Sequence, residues 1–340
     1  MGRRLAIHHF GPDPAYVGGI GSVMRVMQEH TMGGASVTVH PTWRPHARFA
    51  SMPLAALAAR RIPLMRREDV CHVHLAENGS FVREGALVVL ARLLGKTTVA
   101  TIHGADFLPF ARRHPRLART VLRRAAAITC LDPDVLELAT LLAPRADVRL
   151  LANPVAADRQ PTGADATEEL VLFAGEIGTR KGADVLAQAW ALVSRARPKA
   201  RCMMVGPVNS IEVPKAERLE LRGPVAATAV AELLRSARVV ALPSRSEGMP
   251  MILTEAMSAG RPFVSTPVGG IPALASGGGG VLVPVEDHRQ LAARLIELLE
   301  DPALAARMGE QGRSYFQQTR GVPVIDARLE ELYTTAAART

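Results

Sequence analysis

Cysteine and aromatic residues are scarce in this 340-residue sequence. Each shortage removes a class of protein. Its three cysteines, Cys71, Cys130 and Cys202, stand singly and far apart. No pair has the spacing of a disulfide framework or a zinc site, so a reducing, cytoplasmic compartment is expected, with no metal centre. Phe, Trp and Tyr make up only 4% of the chain. The basic stretches carry no interleaved aromatics for base stacking and no reader motif, which argues against nucleic acid as a partner. Long apolar runs are also missing. The most apolar window, residues 85–100, is broken by Arg92 and Lys96, and the opening MGRRLAIHHF has no hydrophobic segment of signal-peptide length. Neither a membrane span nor a signal peptide is expected.

Acidic residues are scarce in the first half. Residues 1–150 hold 20 Lys and Arg against 11 Asp and Glu, which accounts for the whole net charge of +9. A basic half implies an anionic partner there, such as a phosphorylated acceptor or a membrane surface. The segment 107–127 concentrates this charge. Arg112, Arg113, Arg116, Arg119, Arg123 and Arg124 accompany Leu117, Val121 and Leu122 at helical spacing, the pattern either of a basic amphipathic helix able to lie on anionic lipid or of a solvated helix in an Arg-rich protein.

What is present reads as two α/β halves. Short apolar runs at 5–10, 37–40, 70–75, 97–102, 127–131 and 148–151 read as strands, separated by helical stretches that include 51–67. The polar, Pro- and Gly-containing stretch 157–169 reads as a linker. A second series follows, with strands at 170–175, 201–206, 219–223 and 239–242 and helices at 183–196 and 227–236. The segment VGGIGSVMRV, with Gly18, Gly19 and Gly21, reads as a glycine-rich loop opening a helix, either presenting N–H groups to a phosphate or making a plain tight turn. It is not G-x-G-x-x-G, so no dinucleotide cofactor is expected. His103 and Asp106 follow the strand 97–102 at the sheet edge where ligands collect. Asp132-Pro133-Asp134 resembles a metal-binding D-x-D, but Asp132 before Pro133 is an ordinary helix start.

The most informative stretch is 238–272, RVVALPSRSEGMPMILTEAMSAGRPFVSTPVGGIP. It reads as strand, loop, helix, strand, loop, with Pro250 at the first helical position. Glu247 lies in the loop and Glu255 on the helix, about 7 Å from the helix start. Between them the N–H groups near Met251 and Ile252 have no intrahelical partner and suit a phosphate. Two carboxylates around an anion site match a ligand with hydroxyls at both ends and a diphosphate between, as in a nucleotide sugar.

This pattern, P-S-x-x-E-G-x-P-x-x-x-x-E-A-x-x-x-G-x-P, resembles the donor signature of retaining GT-B glycosyltransferases of family 4 type. FAGEIGTRKGADVLAQAW, TIHGADF, VGGIGSVMRV and VHLAENGSFVREG are similar to further motifs of that family. The resemblance implies two Rossmann-like domains facing a central cleft: an acceptor-side domain over 1–156, with 322–340 packing back onto it, and a donor domain over 170–321. It implies transfer of a sugar from a nucleoside diphosphate sugar to a hydroxyl acceptor with retention of configuration, in cell-envelope polysaccharide, glycolipid or other glycoconjugate synthesis, with no metal or other cofactor; the basic first half suggests a lipid-linked or otherwise anionic acceptor. Lys181 falls on the donor-phosphate position and Val225 where backbone meets the base. His103 and Glu247 would contact the reacting sugar, Glu255 the ribose, and Arg83 the acceptor.

One departure stands out. Many members carry Arg after the strand-ending glycine, where this chain has Glu176. Arg180 and Arg245 are the candidates to offset it. The departure keeps open a catalytically weak nucleotide-sugar-binding subunit; a nucleotide-sugar epimerase is the further alternative.

Overall fold

The computed structural model describes residues 5–15, 19–29, 35–44, 51–158, 160–209, 211, 213–214 and 216–339. The chain divides into two compact units, Met1–Pro154 with Pro323–Thr340, and Val155–Val322.

The first unit runs β1 (Ala6–Pro12), α1 (Gly19–Glu29), β2 (Ser36–Trp43), α2 (Ser51–Ala59), β3 (Val70–Leu75), α3 (Asn78–Leu93), β4 (Thr97–Ile102), α4 (Phe107–Arg113), α5 (Pro115–Leu122), β5 (Ala127–Cys130), α6 (Pro133–Leu142) and β6 (Asp147–Leu150). The second runs β7 (Leu170–Ala174), α7 (Ala183–Ala196), β8 (Arg201–Val205), β9 (Leu219–Arg222), α8 (Ala227–Ser236), β10 (Val239–Leu242), α9 (Met251–Ser258), β11 (Phe263–Ser265), α10 (Ile271–Ala275), β12 (Gly280–Leu282), α11 (His288–Glu300) and α12 (Pro302–Thr319). A last helix, α13 (Val322–Ala338), belongs almost wholly to the first unit.

Each unit is a six-stranded sheet with every pairing parallel. The central strands β3, β4, β7 and β10 are buried along their whole length, as a sheet covered on both faces requires. The orders are β2-β1-β3-β4-β5-β6 and β12-β11-β10-β7-β8-β9. The second is the Rossmann order, reversing between β7 and β10; the first reverses between β1 and β3. Loops at the C-terminal ends of strands flanking such a reversal splay apart and leave a crevice.

Four local expectations change. The basic stretch 107–127 is two helices, because Pro115 has no N–H to continue α4 and instead opens α5. The helical reading of 51–67 resolves into α2 and a separate 3-10 turn, Ile62–Leu64, with Pro63 inside it. Pro250 is the cap rather than the first helical residue, since its ψ of 117° is extended. Gly19 and Gly21 lie inside the first turn of α1 and not in a loop; Gly18 falls outside the described residues.

The polar stretch 157–169 is strapped to the second unit. Ala164 is buried, and the backbone N–H of Asp158 donates to Ser258 Oγ at 2.7 Å. Arg261, wholly buried, donates to the backbone oxygen of Thr162, to Thr162 Oγ1 at 2.7 Å and to Ala237 O at 3.2 Å. Burial lowers the Arg261 pKa to about 10, which still leaves it charged at neutral pH. Asp132 caps α6 as its sequence implies, accepting from the Val135 N–H at 2.9 Å.

Candidate functional site

The second unit places its candidate site at the β7/β10 reversal. The loop after β7 supplies Glu176, Arg180 and Lys181; the loop after β10 supplies Ser244, Arg245 and Glu247. Two glycines let these loops pack. Gly182 (φ 73°) lies so close to Pro243 that a Cβ would sit 1.9 Å from its carbonyl oxygen. Gly269 (φ 53°) is equally close to Glu247 O, and the Gly270 N–H donates to Gly248 O at 2.7 Å. Only glycine satisfies both the left-handed φ and the contact.

Glu247 is buried, 9% exposed, yet fully engaged. Its Oε1 accepts from Lys181 Nζ at 2.7 Å and from Ser244 Oγ at 2.9 Å, and Arg180 Nη1 stands 3.9 Å from Oε2. Arg180 also donates to Ser246 O at 3.2 Å. Burial of a carboxylate is tolerable here because it is paired and hydrogen-bonded.

Arg245, expected as one candidate to offset Glu176, is committed elsewhere. It forks onto Asp184 at 2.9 and 2.7 Å, meets Glu286 at 2.9 Å and donates to Thr179 O. These hydrogen bonds raise its pKa and lower that of Asp184. It therefore fastens the two loops together, and Arg180 remains beside Lys181. The Glu176 carboxylate bends toward Gly178, with Oε1 only 3.2 Å from where a Cβ on Gly178 would lie.

α9 follows this loop. It buries Ile252, Leu253, Ala256 and Met257, while Met251 and Glu255 stay partly exposed. Its first N–H groups, at Met251 and Ile252, have no residue four positions back within the helix to bond. Val225 lies past the end of β9, partly buried against the unit's core, on the same sheet edge but at the outer strand.

The first unit holds a second cluster that the sequence did not disclose. His103, just past β4, is 9% exposed. Its Nε2 lies 2.7 Å from His74 Nδ1, and His74 Nε2 lies 2.9 Å from His9 Nδ1. His72 joins Tyr333 Oη at 2.7 Å and Thr101 Oγ1 at 2.6 Å. Burial pushes His9 and His103 down to about 3, and desolvation with neighbouring rings holds His72 and His74 well below the usual value, so all four are neutral at pH 7. His72, His74 and His103 line a cavity of about 10 Å³, room for about one water, with Thr101, Thr129 and Asn153. The ring nitrogens of His9, His72 and His74 lie within 4.8 Å of one another, close enough to be weighed as a metal site although no ligand spacing was legible.

Other expected residues are placed as follows. Asp106 stands at the N-cap position of α4, makes no side-chain capping bond there, and is exposed. Arg83 lies on α3, its guanidinium held by Glu84 at 2.7 and 3.1 Å; Glu84 also accepts from Thr42 and Ser80. Gly19 is exposed at the start of α1 and Gly21 is buried within it. Among the described residues no helix is long and apolar enough to cross a membrane.

Residues 168–301 match the family model described as Glycosyl transferases group 1. This segment is similar to the glycosyl transferases of group 1. It spans the Lys181–Glu247 site and α9. The chain is 31% identical over 204 residues to a D-inositol 3-phosphate glycosyltransferase of Thermobispora bispora, covering 55% of this chain and 47% of that one. The chain spans about half the length of the curated relatives it matches. Among solved structures, sucrose-phosphate synthase from Thermosynechococcus elongatus aligns at TM-score 0.76 and 18% identity over 99% of this chain and 100% of that one. Anabaena HepE in complex with UDP-glucose aligns at TM-score 0.77 and 16% identity over 98% and 100%. The matched segment thus lies in one of two Rossmann-like units, and the fold is that of GT-B proteins.

Proposed function

We propose that this chain moves a sugar from a nucleoside diphosphate sugar to a hydroxyl acceptor, with retention of anomeric configuration. The observation that carries the reading is the part-buried contact of Lys181 with Glu247, 2.7 Å, at the reversal point of a sheet in Rossmann order, with Arg180 3.9 Å from the same carboxylate. As the anomeric C–O bond breaks, charge builds on the departing diphosphate. On this reading Lys181, Arg180 and the N–H groups of Met251 and Ile252 take it, and no metal is called for. The acceptor oxygen bonds to the anomeric carbon on the same face, and its proton passes to the departing phosphate oxygen. Glu247 holds sugar hydroxyls, Glu255 the ribose, and the backbone at Val225 the base. His103 contacts the sugar or the acceptor.

The names of similar proteins support a donor and acceptor of this kind. One set acts, by name, on D-inositol 3-phosphate, a phosphorylated polyol, and HepE holds UDP-glucose. A basic first half suits an anionic acceptor in cell-envelope polysaccharide or glycolipid synthesis. Arg112, Arg113, Arg116, Arg119 and Arg124 on and beside α4 and α5 are exposed. They form the surface by which we place the protein on the inner face of an anionic membrane, in the cytoplasm.

The test is NMR of the product anomer after incubation with a panel of nucleoside diphosphate sugars and phosphorylated polyols. Turnover by the parent chain with an α-configured product from an α-donor supports the reading; unchanged turnover in both Lys181→Ala and Glu247→Ala refutes the site. Glu176 favours a second reading, a catalytically weak nucleotide-sugar-binding subunit. Transfer or donor hydrolysis by the pure chain removes it.

A further inference from the structure

Three histidines run end to end through the first unit, and the reaction above uses only one. His9 lies on β1, His74 on β3 and His103 just past β4, three adjacent strands. Ring centroids are 5.2 Å apart for His9 and His74 and 5.0 Å for His74 and His103, with planes inclined by 29° and 26°. In both pairs the centroid separation exceeds the N···N distance by about 2.3 Å, two imidazole radii. Donor, acceptor and both centroids therefore lie close to one line. The rings meet edge to edge in linear hydrogen bonds, not face to face.

Two buried ring nitrogens have no hydrogen-bond partner among the described residues, and they are the two ends of this row: His9 Nε2 and His103 Nδ1. A neutral imidazole carries one N–H and one lone pair. The single proton of His74 can serve only one of its two bonds, so a neighbour must supply the other. Only two arrangements satisfy both bonds. Either all three rings carry their proton on Nε2, or all three carry it on Nδ1. In the first, His103 Nδ1 is a lone pair and His9 Nε2–H is a buried donor without an acceptor. In the second, His103 Nδ1–H is the donor and His9 Nε2 the lone pair. A buried N–H without an acceptor is the rarer and costlier orphan. An oxygen placed at His103 Nδ1 removes it only in the second arrangement.

We propose that His9, His74 and His103 form a wire that carries one shared tautomer, with His74 and His9 as positioning residues that make His103 Nδ1 a hydrogen-bond donor to its ligand. The ligand half rests on the reading of His103 as a sugar or acceptor contact; the shared tautomer does not. A metal ion is the rival occupant of the cluster. It would have to take His72 from Tyr333 or Thr101, and open the 2.9 Å contact of His9 with His74.

The experiment is long-range proton–nitrogen NMR on the full chain labelled with ¹⁵N-histidine at pH 7.5, alone and with UDP-glucose as the probe. His9→Phe and His103→Phe assign the signals. The expected result is one tautomer common to all three rings in the free protein, and Nδ1–H in all three with UDP-glucose bound. In His74→Phe, His9 and His103 lose this correlation and take up tautomers independently. Mixed tautomers in the parent chain, a charged ring, or a stoichiometric metal ion in the purified protein overturns the wire. A shared Nε2–H tautomer with UDP-glucose bound overturns the donor assignment. The parent spectrum decides the shared tautomer even where His74→Phe does not fold. A shared tautomer without glycosyl transfer leaves the wire standing and removes the functional reading; transfer with mixed tautomers does the reverse.

Discussion

Acidification from pH 7 to 5.5 should weaken the first unit and spare the second. His9, His72, His74 and His103 are 9% exposed or less, and burial holds each folded pKa far below the ordinary 6.5, to about 3 for His9 and His103. In the unfolded chain each titrates near 6.5. Between the two values the unfolded chain binds more protons, so the free energy of unfolding rises with pH. Stability is whole above pH 6.5 and is lost as the pH falls through it, down toward 3. The rings touch, so charging one opposes charging the next and keeps the folded cluster neutral as a group. At pH 5.5 each histidine removes about 1.4 kcal/mol, and the four together about 6 kcal/mol. That equals the whole stability of many domains. The second unit is an internal control, since His288 is its sole histidine. The two tryptophans separate the signals: Trp43 lies in the first unit and Trp190 in the second. Urea unfolding followed by fluorescence in Trp190→Phe reports the first unit, and in Trp43→Phe the second. A first-unit midpoint that stays put between pH 7 and 5.5 would refute the reasoning.

Other substitutions have local consequences. Gly182→Ala places a methyl against Pro243 O at a left-handed φ, and should cost the second unit about 2 kcal/mol or more in urea unfolding while weakening nucleotide-sugar binding by calorimetry. Arg245→Ala unfastens Asp184 and Glu286; discounted for partial exposure, the loss should be about 1–2 kcal/mol, confined to the second unit and read by the Trp190 signal. Tyr333→Phe leaves His72 Nδ1 without its partner and should cost the first unit about 1–3 kcal/mol, read by the Trp43 signal.

Local signals in the sequence carried most of the architecture. Asp132 before Pro133 marked a helix start, and uninterrupted runs such as VCHVHL marked buried parallel strands. Chain order alone placed Lys181 and Glu247 in loops after strands, but their contact spans 66 positions and depends on which two strands flank the reversal. Pro115 was visible, yet the basic stretch around it has helical spacing on both sides, which hid the break. The histidine row was illegible for a different reason. Its members are separated by 65 and 29 positions, and the tyrosine on His72 by 261. Each histidine alone looks like a strand residue, and only strand register brings the rings together.

The Lys181–Glu247 contact changes what occupancy of this crevice means. The two charges answer one another, so on the proposed reading an arriving diphosphate would not meet Lys181 as a free cation. It would draw Lys181 from a carboxylate that is 9% exposed and cannot easily turn to water. Association here is an exchange of partners. A bare nucleoside diphosphate completes half of that exchange and leaves Glu247 with Ser244 and Arg180 for company. A diphosphate that carries a sugar brings hydroxyl donors to fill the place Lys181 left. On this account the intact donor is held better than the spent nucleotide, and departure of the product is driven by the carboxylate reclaiming its lysine.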